Sequence, residues 1–496
     1  MIKNQKAVVI GAGIGGLATA CFLAKNGYQV EIFEKNANPG GRCGQIVQDG
    51  HRFDLGATLL MMPSIYRTVL NDLEIDIEKD LEAIQLDPVY KLFYSDGSSF
   101  FFSPDDETMK RQLESIEPGS FQRYRDYISE GYSFFNLATK DLLARNFENL
   151  PSFINIKNTL LLMKLKTYRK HSQYVQRFFN DPRLQMAFTF QNIYVGQSPY
   201  DAPAFFSMLP GAEVTEGAWF PKGGMHRIVE KLLEKALAEG VSINYKAPVE
   251  RIITNGSNAE GILLQNGTLV NADLVIGNAD LPYIYRELLQ EKQTTQVLKK
   301  KKYSCSAIVF HWGVSKIYPQ LEHHSVFLND PFKKGLDAIF REKSLAGNPS
   351  FYIHAPVRSD KNAAPKNHDT LTVIVPAAHL DEKADQDWKK LKKIARCAVI
   401  SRLKEAGMTD IEEHIKFEIC YLPKTWESSC NVTNGSVFGS LAHNILQMGY
   451  FRPQNRHRKY KNLYFAGGST HPGNGVPLVL LSAKLTTERI LNDSIN

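Results

Sequence analysis

Three glycines near the amino terminus have a spacing that suits one kind of chemistry. Gly11, Gly13 and Gly16 follow an apolar run at residues 7–10 in the pattern G-x-G-x-x-G. The first glycine permits a tight turn, the second lets the backbone approach a pyrophosphate, and the third lets a helix lie against the preceding strand. Glu34 comes later, where a carboxylate can accept hydrogen bonds from ribose hydroxyls and disfavours a 2′-phosphate. The pattern predicts a site for the ADP part of a dinucleotide and argues against NADP.

The elements around these residues follow from hydrophobic periodicity. Residues 7–10 form a continuous apolar run typical of a buried parallel strand. Leu17, Ala20, Cys21 and Ala24 then recur at helical spacing, and residues 29–33 form a second strand. The sequence therefore predicts a β-α-β unit with the helix amino terminus facing the phosphates.

The glycine motif alone does not distinguish FAD from NAD. Pro39, Gly40, Gly41 and Arg42 follow the ribose-binding acid, and they suit a second pass of the chain along the pyrophosphate. This tetrad favours FAD, although a loop without a ligand is the alternative interpretation.

Composition limits the class of protein. The chain has 496 residues, with 43% hydrophobic and 22% charged residues, which predicts two or three structural units. Its six cysteines form no C-x-x-C pair, so we expect a reducing compartment and no metal site. We find no apolar run long enough to span a bilayer and no room for a signal peptide before the first strand, and we expect a cytoplasmic protein. No nucleic-acid-binding motif accompanies the net charge of +7.

Local signals predict further elements. Asp96-Gly97 and Asn266-Gly267 each separate two apolar runs, as in β-hairpins. Residues 227–239 have the periodicity of an amphipathic helix, residues 241–246 that of a strand, and Pro477 is placed to begin the last helix.

Several separated blocks resemble a known family. Gly40-Gly41-Arg42 and residues 53–58 are similar to the extended FAD motif of the flavin amine oxidase and phytoene dehydrogenase superfamily. Residues 188–191, 196–199, 217–225, 272–280 and 463–477 resemble the carotenoid desaturase branch. The sequence of residues 467–482 looks most like that of the hydroxycarotenoid 3,4-desaturases, while phytoene, dehydrosqualene and lycopene desaturases share much of it. Gly468 and Ser469 stand where many members carry an acid, so backbone NH groups or Ser469 and Thr470 would make those cofactor contacts.

The resemblance implies an α/β fold with a Rossmann-type FAD-binding domain. That domain would be assembled from residues 1–85, 220–300 and 430–496. Residues 86–219 and 301–429 would form a mixed-sheet substrate domain with a helical, membrane-facing cap.

The motifs and the resemblance together nominate site residues. Those for the cofactor are Gly11, Gly13, Ile14, Gly15, Gly16, Glu34, Lys35, Gly41, Arg42, Gly56, Ala57, Thr58, Val249, Gly467, Gly468, Val476 and Pro477. Those for a carotenoid substrate are Phe188, Phe190, Trp219, Phe220 and His471, with Tyr194, Phe205 and Phe206 as further aromatic candidates for a tunnel wall. The implied reaction transfers a hydride to the flavin and releases a proton, and no general base is identified.

One segment suggests contact with a membrane. Residues 149–180 contain no Asp or Glu, and apolar residues at 160–168 interleave with Lys164, Lys166, Arg169 and Lys170. This pattern predicts an interfacial helix on anionic lipid above the tunnel mouth, at the inner face of the membrane. The alternative is a cap helix whose basic face is merely solvated.

Two other functional classes compete with a desaturase. An amine or protoporphyrinogen oxidase would share the amino-terminal motif, and a carotenoid isomerase or lipid-binding protein would use FAD without net redox chemistry. The oligomeric state stays open.

Overall fold

The computed structural model describes residues 5–495. Its strands are β1 (Lys6–Ile10), β2 (Gln29–Phe33), β3 (Gln45–Gln48), β4 (His51–Asp54), β5 (Leu60–Met61), β6 (Ile84–Gln85), β7 (Tyr90–Phe93), β8 (Ser99–Phe102), β9 (Ala218–Phe220), β10 (Ser242–Asn244), β11 (Val249–Asn255), β12 (Asn258–Leu264), β13 (Leu269–Asn271), β14 (Leu274–Gly277), β15 (Ser306–Val314), β16 (His324–Phe327), β17 (Phe351–His354), β18 (Asp369–Ala377), β19 (Ile415–Tyr421) and β20 (Leu463–Phe465).

Its α-helices are α1 (Ile14–Lys25), α2 (Pro63–Asn71), α3 (Asp106–Ile116), α4 (Ser120–Ala138), α5 (Leu150–Phe153), α6 (Ile156–Lys164), α7 (His171–Val175), α8 (Pro182–Ala187), α9 (Met208–Glu216), α10 (Arg227–Ala238), α11 (Leu281–Tyr283), α12 (Lys292–Lys299), α13 (Phe332–Phe340), α14 (Trp388–Glu405), α15 (Ile411–His414), α16 (Pro423–Cys430) and α17 (Val476–Ile495).

A parallel sheet carries the amino-terminal motif. Its strand order is β10-β2-β1-β14-β20, and β1 lies at its centre between β2 and β14. Because β1 is covered on both faces, it is apolar along nearly its whole length. Helix α1 packs against α10 and α17, which buries most of its residues. The predicted β-α-β unit is confirmed, and the strands of this sheet come from all three segments assigned to the cofactor domain.

A second, mixed sheet has seven strands, which come from residues 90–102 and 306–421. Its order is β19-β15-β18-β17-β16-β7-β8, with β7 and β16 parallel and the other pairs antiparallel. The predicted hairpin at Asp96-Gly97 is confirmed as β7–β8, and that at Asn266-Gly267 as β12–β13. Both glycines have positive φ, as these turns require. The fold is therefore the α/β arrangement that was predicted.

Helices α3 to α9 lie between β8 and β9 in the chain; α3 contacts β8 of the mixed sheet, and α4 packs against α9. The basic segment at 149–180 is not one continuous helix, since α6 ends at Lys164 and Lys166 has a φ of 52°. Predicted helix 227–239 is confirmed as α10, and predicted strand 241–246 is shorter, because only Ser242–Asn244 pair with β2. Within residues 5–495, no helix is both long and apolar enough to cross a membrane.

Candidate functional site

The turn between β1 and α1 is built by close backbone contacts. Gly11 has a φ of 100°, and a Cβ placed on Gly16 would lie 2.1 Å from the Gly11 carbonyl oxygen. Only a glycine at position 16 therefore lets α1 start against the end of β1. Gly13 is different, because the nearest atom to an added Cβ is the Asn278 Oδ1 at 3.0 Å.

The Pro39–Arg42 turn lies along this first loop. The Gly40 amide donates to the Ala12 carbonyl at 2.8 Å, and Gly40 pairs with Gly13 as an isolated β-bridge. The Arg42 guanidinium donates to the Val437 carbonyl at 2.9 Å and lies beside Gly468. Residues 39–42 thus contact both the glycine loop at residues 11–16 and the glycine loop at residues 467–475.

Glu34 lies at the end of β2 with its side chain against the glycine loop. Its carboxylate accepts hydrogen bonds from the amides of Ala12 and Asn36, both at 2.8 Å. These two amides hold the carboxylate at the cavity wall, where it can accept further bonds from ribose hydroxyls. Its neighbour Lys35 donates to Ser428 and Asn431, and burial lowers the pKa of its amine.

The carboxyl-terminal loop closes the other side of the site. Gly467, Gly473 and Gly475 all have positive φ, and α17 begins at Val476 directly after them. A Cβ on Gly15 would lie 3.5 Å from the Gly467 Cα, so the two glycine loops pack against each other. The free amides at the start of α17 place a partial positive charge at this wall.

A single cavity of about 880 Å³ joins these parts. The nominated cofactor residues at its wall are Gly11, Gly13, Ile14, Gly15, Glu34, Lys35, Gly41, Arg42, Gly56, Ala57, Thr58, Val249, Gly467, Gly468, Val476 and Pro477. Gly16 lies behind the wall, where it serves helix packing.

The same cavity is also lined by apolar side chains outside the nominated cofactor motifs, and we call this part its apolar half. The apolar side chains that line this half are Leu142, Leu143, Phe153, Leu162, Leu165, Ile193, Phe205, Phe206, Met208, Leu209, Met448 and Phe451. Tyr194 also lines it, so all three further aromatic candidates, Tyr194, Phe205 and Phe206, lie at the wall.

The five residues nominated first for the substrate lie elsewhere. Phe188 and Phe190 pack in the aromatic core near Tyr90 and Tyr127, and Trp219 packs under the Arg67 guanidinium. The Phe220 ring lies against His323 and His354. His471 is buried, and its Nε2 bonds the Arg145 carbonyl at 2.8 Å. Burial lowers the pKa of His471 to about 4, so its imidazole is neutral at pH 7.

A hydrogen-bonded chain reaches the cavity wall near Thr58. The Thr58 hydroxyl forms a hydrogen bond with the Tyr352 hydroxyl at 2.8 Å, and the Tyr352 hydroxyl forms another with His324 Nδ1 at 2.6 Å. His323, His324 and His354 offer three nitrogens within 4.8 Å of one another, the spacing from which a metal ion could be bound. The group contains no carboxylate, and the Nε2 atoms of His323 and His354 are 3.1 Å apart, as in hydrogen-bonded imidazoles. Burial lowers the pKa of all three imidazoles, so the group carries no charge at pH 7.

Sequence reasoning missed several residues of the wall. Asn278 follows β14 and donates to the Ala466 carbonyl at 2.8 Å, which ties the two glycine loops together. Asp280, His443 and Asn474 also line the cavity. Asn278 and Asp280 lie within a block that resembled the family, and their place just after the apolar run at residues 274–276 was the available signal.

Comparisons with known proteins agree with this geometry. Residues 14–491 match the family described as "Flavin containing amine oxidoreductase". A zeta-carotene-forming phytoene desaturase of Myxococcus xanthus is 40% identical over 491 residues, covering 99% of this chain and 94% of its own length. A 4,4'-diapophytoene desaturase (4,4'-diaponeurosporene-forming) of Staphylococcus aureus is 33% identical and covers 99% of both chains.

A solved structure is similar in fold along the whole chain. An oxidoreductase from Methanosarcina mazei superposes with a TM-score of 0.64 at 18% identity, covering 98% of this chain and 100% of its own. With the family match spanning nearly all of the sequence, this protein belongs to the flavin-containing amine oxidoreductases, and FAD is its cofactor.

Proposed function

We propose that the protein is a carotenoid desaturase that introduces carbon–carbon double bonds into a long acyclic polyene of the phytoene type. The observation that carries this proposal is the single cavity, which runs from the cofactor motifs into an apolar half lined by leucine, phenylalanine and methionine side chains. Relatives named as phytoene and diapophytoene desaturases support the same substrate class.

The residues of the cavity fit FAD. An added Cβ on Gly13 would approach one side-chain oxygen only, which leaves its backbone accessible from the cavity. The Glu34 carboxylate suits a ribose, and the Arg42 guanidinium suits the pyrophosphate. Gly467 and Gly468 would hold the flavin end with the amides before Val476.

A bound flavin supplies the acceptor for a hydride from the polyene. The chain's own residues orient the polyene and exclude water, since the apolar half offers few polar groups. The Tyr352 hydroxyl also lines the cavity, where its hydrogen bonds with Thr58 and with the neutral His324 fix its position. The remaining wall holds the polyene through apolar contact alone.

The sequence of residues 467–482 favours the hydroxycarotenoid 3,4-desaturases as the specific branch of carotenoid desaturases. The named relatives support the alternative, a phytoene or diapophytoene desaturase, better than that branch. We therefore propose phytoene-type desaturation first and retain 3,4-desaturation of a hydroxylated polyene as the second candidate.

Anaerobic mixing tests the reaction class. Purified holoprotein is combined with phytoene, diapophytoene or a hydroxylated carotenoid in liposomes, and flavin bleaching is recorded together with the product chromophore. A desaturase bleaches one flavin for each double bond formed and yields a product lighter by two hydrogens. Isomerised product with an unbleached flavin would contradict the proposal, and the preferred polyene decides between the two candidates.

We also propose that the cap docks on anionic membrane at the inner face of the cell membrane. The cap surface consists of Ile154, Ile156, Leu160, Met163 and Tyr168, which are 54%, 82%, 61%, 60% and 68% exposed. Lys157, Lys164, Arg169 and Lys170 are exposed among them. On the opposite side of the same segment, Leu162 and Leu165 line the cavity, so a docked cap would bring lipid close to its apolar half.

Lys166 is unsuitable for testing this surface. It forms an ion pair with Glu130 and lies over the Tyr174 ring, so its replacement would disturb the cap itself. The test variant is therefore Lys164→Glu, Arg169→Glu and Lys170→Glu together.

Flotation with phosphatidylglycerol vesicles measures docking. We expect wild type to float, the triple variant to remain at the bottom, and a matched triple variant on α14 (Lys389→Glu, Lys390→Glu, Lys393→Glu) to float. The α14 lysines are equally exposed and lie on a different helix. Equal flotation of both triple variants with wild type would contradict docking through the cap.

A further inference from the structure

Arg452 is a buried cation directly behind the cofactor loop. Its side chain is 1% exposed, and its guanidinium donates to the carbonyls of Gly468 at 2.6 Å and Thr470 at 2.8 Å. Weaker bonds reach the carbonyls of Gln447 and Leu441. Gly468 forms part of the cavity wall, so one peptide group separates the charge from the cavity.

No carboxylate forms an ion pair with Arg452 within residues 5–495. The acid that acts on it electrostatically is Asp280, whose oxygens already accept from Ser440 and Thr433. Burial lowers the pKa of the guanidinium to about 9, which keeps it charged at pH 7. An arginine in this position is costly, since a buried charge without a partner loses its hydration.

Holding the loop does not by itself require a charge. Asn455, which is also buried, donates to the carbonyls of Phe465 and His471 on the same loop with a neutral amide. The positive field of Arg452 extends to His443, because it adds to burial in lowering the pKa of that imidazole. His443 lines the cavity, so this field reaches the cofactor site.

We infer that the positive charge of Arg452 acts on bound FAD through the Gly468 and Thr470 peptide groups. This charge stabilises the negative charge that FAD gains on reduction. A guanidinium that bonds a carbonyl polarises that peptide group and strengthens its other end as a donor. The amides at the start of α17 act in the same sense. The inference depends on FAD binding and not on the identity of the polyene.

The test is the midpoint potential of bound FAD, measured against a reference dye with no carotenoid present. The neutral variants are Arg452→Gln and Arg452→Met, and the charged variant is Arg452→Lys. Arg489→Met is the matched control, because Arg489 is also buried and donates to the Phe147 carbonyl, outside the loop.

In either neutral variant we expect the ratio of reduced to oxidised FAD at a fixed potential to fall at least tenfold, about 30 mV for a two-electron couple. Arg452→Lys and Arg489→Met should stay near wild type. A wild-type potential in a neutral variant, or an equal shift in Arg452→Lys, overturns the inference. Loss of FAD from both neutral variants also overturns it, because the charge would then serve binding of the oxidised cofactor or the fold.

Discussion

Gly13 and Gly16 belong to one turn, yet an added methyl group should have opposite consequences at the two positions. At Gly16 a Cβ would lie 2.1 Å from the Gly11 carbonyl oxygen and 2.9 Å from Asn278 Oδ1. At Gly13 the nearest atom is a side-chain oxygen at 3.0 Å, and the rest of the space belongs to the cavity. Gly16→Ala should therefore damage the fold, and Gly13→Ala should damage cofactor binding.

The magnitudes follow from these distances. A backbone carbonyl cannot move away without disturbing the β1–α1 turn, so overpacking at position 16 should cost about 1–3 kcal/mol, with up to about 1 kcal/mol recovered from the better helix propensity of alanine. Gly13 has a φ of −70°, which alanine adopts without strain, so Gly13→Ala should change the free energy of unfolding by less than about 1 kcal/mol. Its methyl group would occupy the position of the pyrophosphate and weaken FAD binding at least ~10-fold, about 1.4 kcal/mol.

Two measurements separate these effects. Thermal unfolding of the apoproteins, followed by circular dichroism, measures the stability of the fold. FAD titration, followed by flavin fluorescence, measures the affinity for the cofactor. The expected result is a wild-type midpoint with weak FAD binding for Gly13→Ala, and a lowered midpoint for Gly16→Ala. Wild-type affinity for FAD in Gly13→Ala would refute the placing of the pyrophosphate against Gly13. An undiminished unfolding midpoint in Gly16→Ala would refute the role of Gly16 in helix packing.

Three further predictions concern the remainder of the molecule. Burial raises the pKa of Glu213 to about 8, above its value in the unfolded chain, so the free energy of unfolding should fall as the pH rises from about 4 to about 8; Glu213→Gln should flatten that profile in pH-dependent denaturation. Arg358→Met should lower the free energy of unfolding by about 3–5 kcal/mol in urea titrations, because it strands the buried Asp369 carboxylate, and a loss below 1 kcal/mol would contradict this. Phe188→Leu should lower stability by about 1–3 kcal/mol and leave the apparent polyene affinity unchanged, whereas Phe206→Leu at the cavity wall should change that affinity.

Local patterns predicted local structure well. The β-α-β unit, the helix at 227–238 and both hairpins depend on neighbouring residues, so glycine positions and apolar periodicity were enough to find them. The interfacial helix expected across residues 160–170 ends at Lys164 instead; Lys166 beyond it has a positive φ and forms an ion pair with Glu130, which is far away in sequence.

The sequence did not show which of its aromatic side chains line the cavity. Phe188, Phe190 and Phe206 are all buried, and only the third faces the cavity. Burial follows from hydrophobicity, whereas a position at the cavity depends on how segments far apart in sequence, such as residues 205–209 and 448–451, pack together. Asn278 was missed for a related reason, since its role depends on a contact with Ala466, which is far away in sequence.

The apolar half of the cavity has an energetic consequence for the proposed function. A polyene taken from water would gain about 0.8 kcal/mol for each buried CH₂, but one taken from a bilayer is already in apolar surroundings and gains little of this. Occupancy of the cavity should therefore depend on how close its opening lies to lipid, and the exposed cap surface at Ile156 and Leu160 would set that distance. The same near-balance would let a polyene product return to the bilayer, because no large transfer free energy would hold it behind Leu162 and Leu165. On this reasoning, loss of cap docking should slow turnover on liposomal substrate while leaving flavin reduction by detergent-dispersed substrate intact.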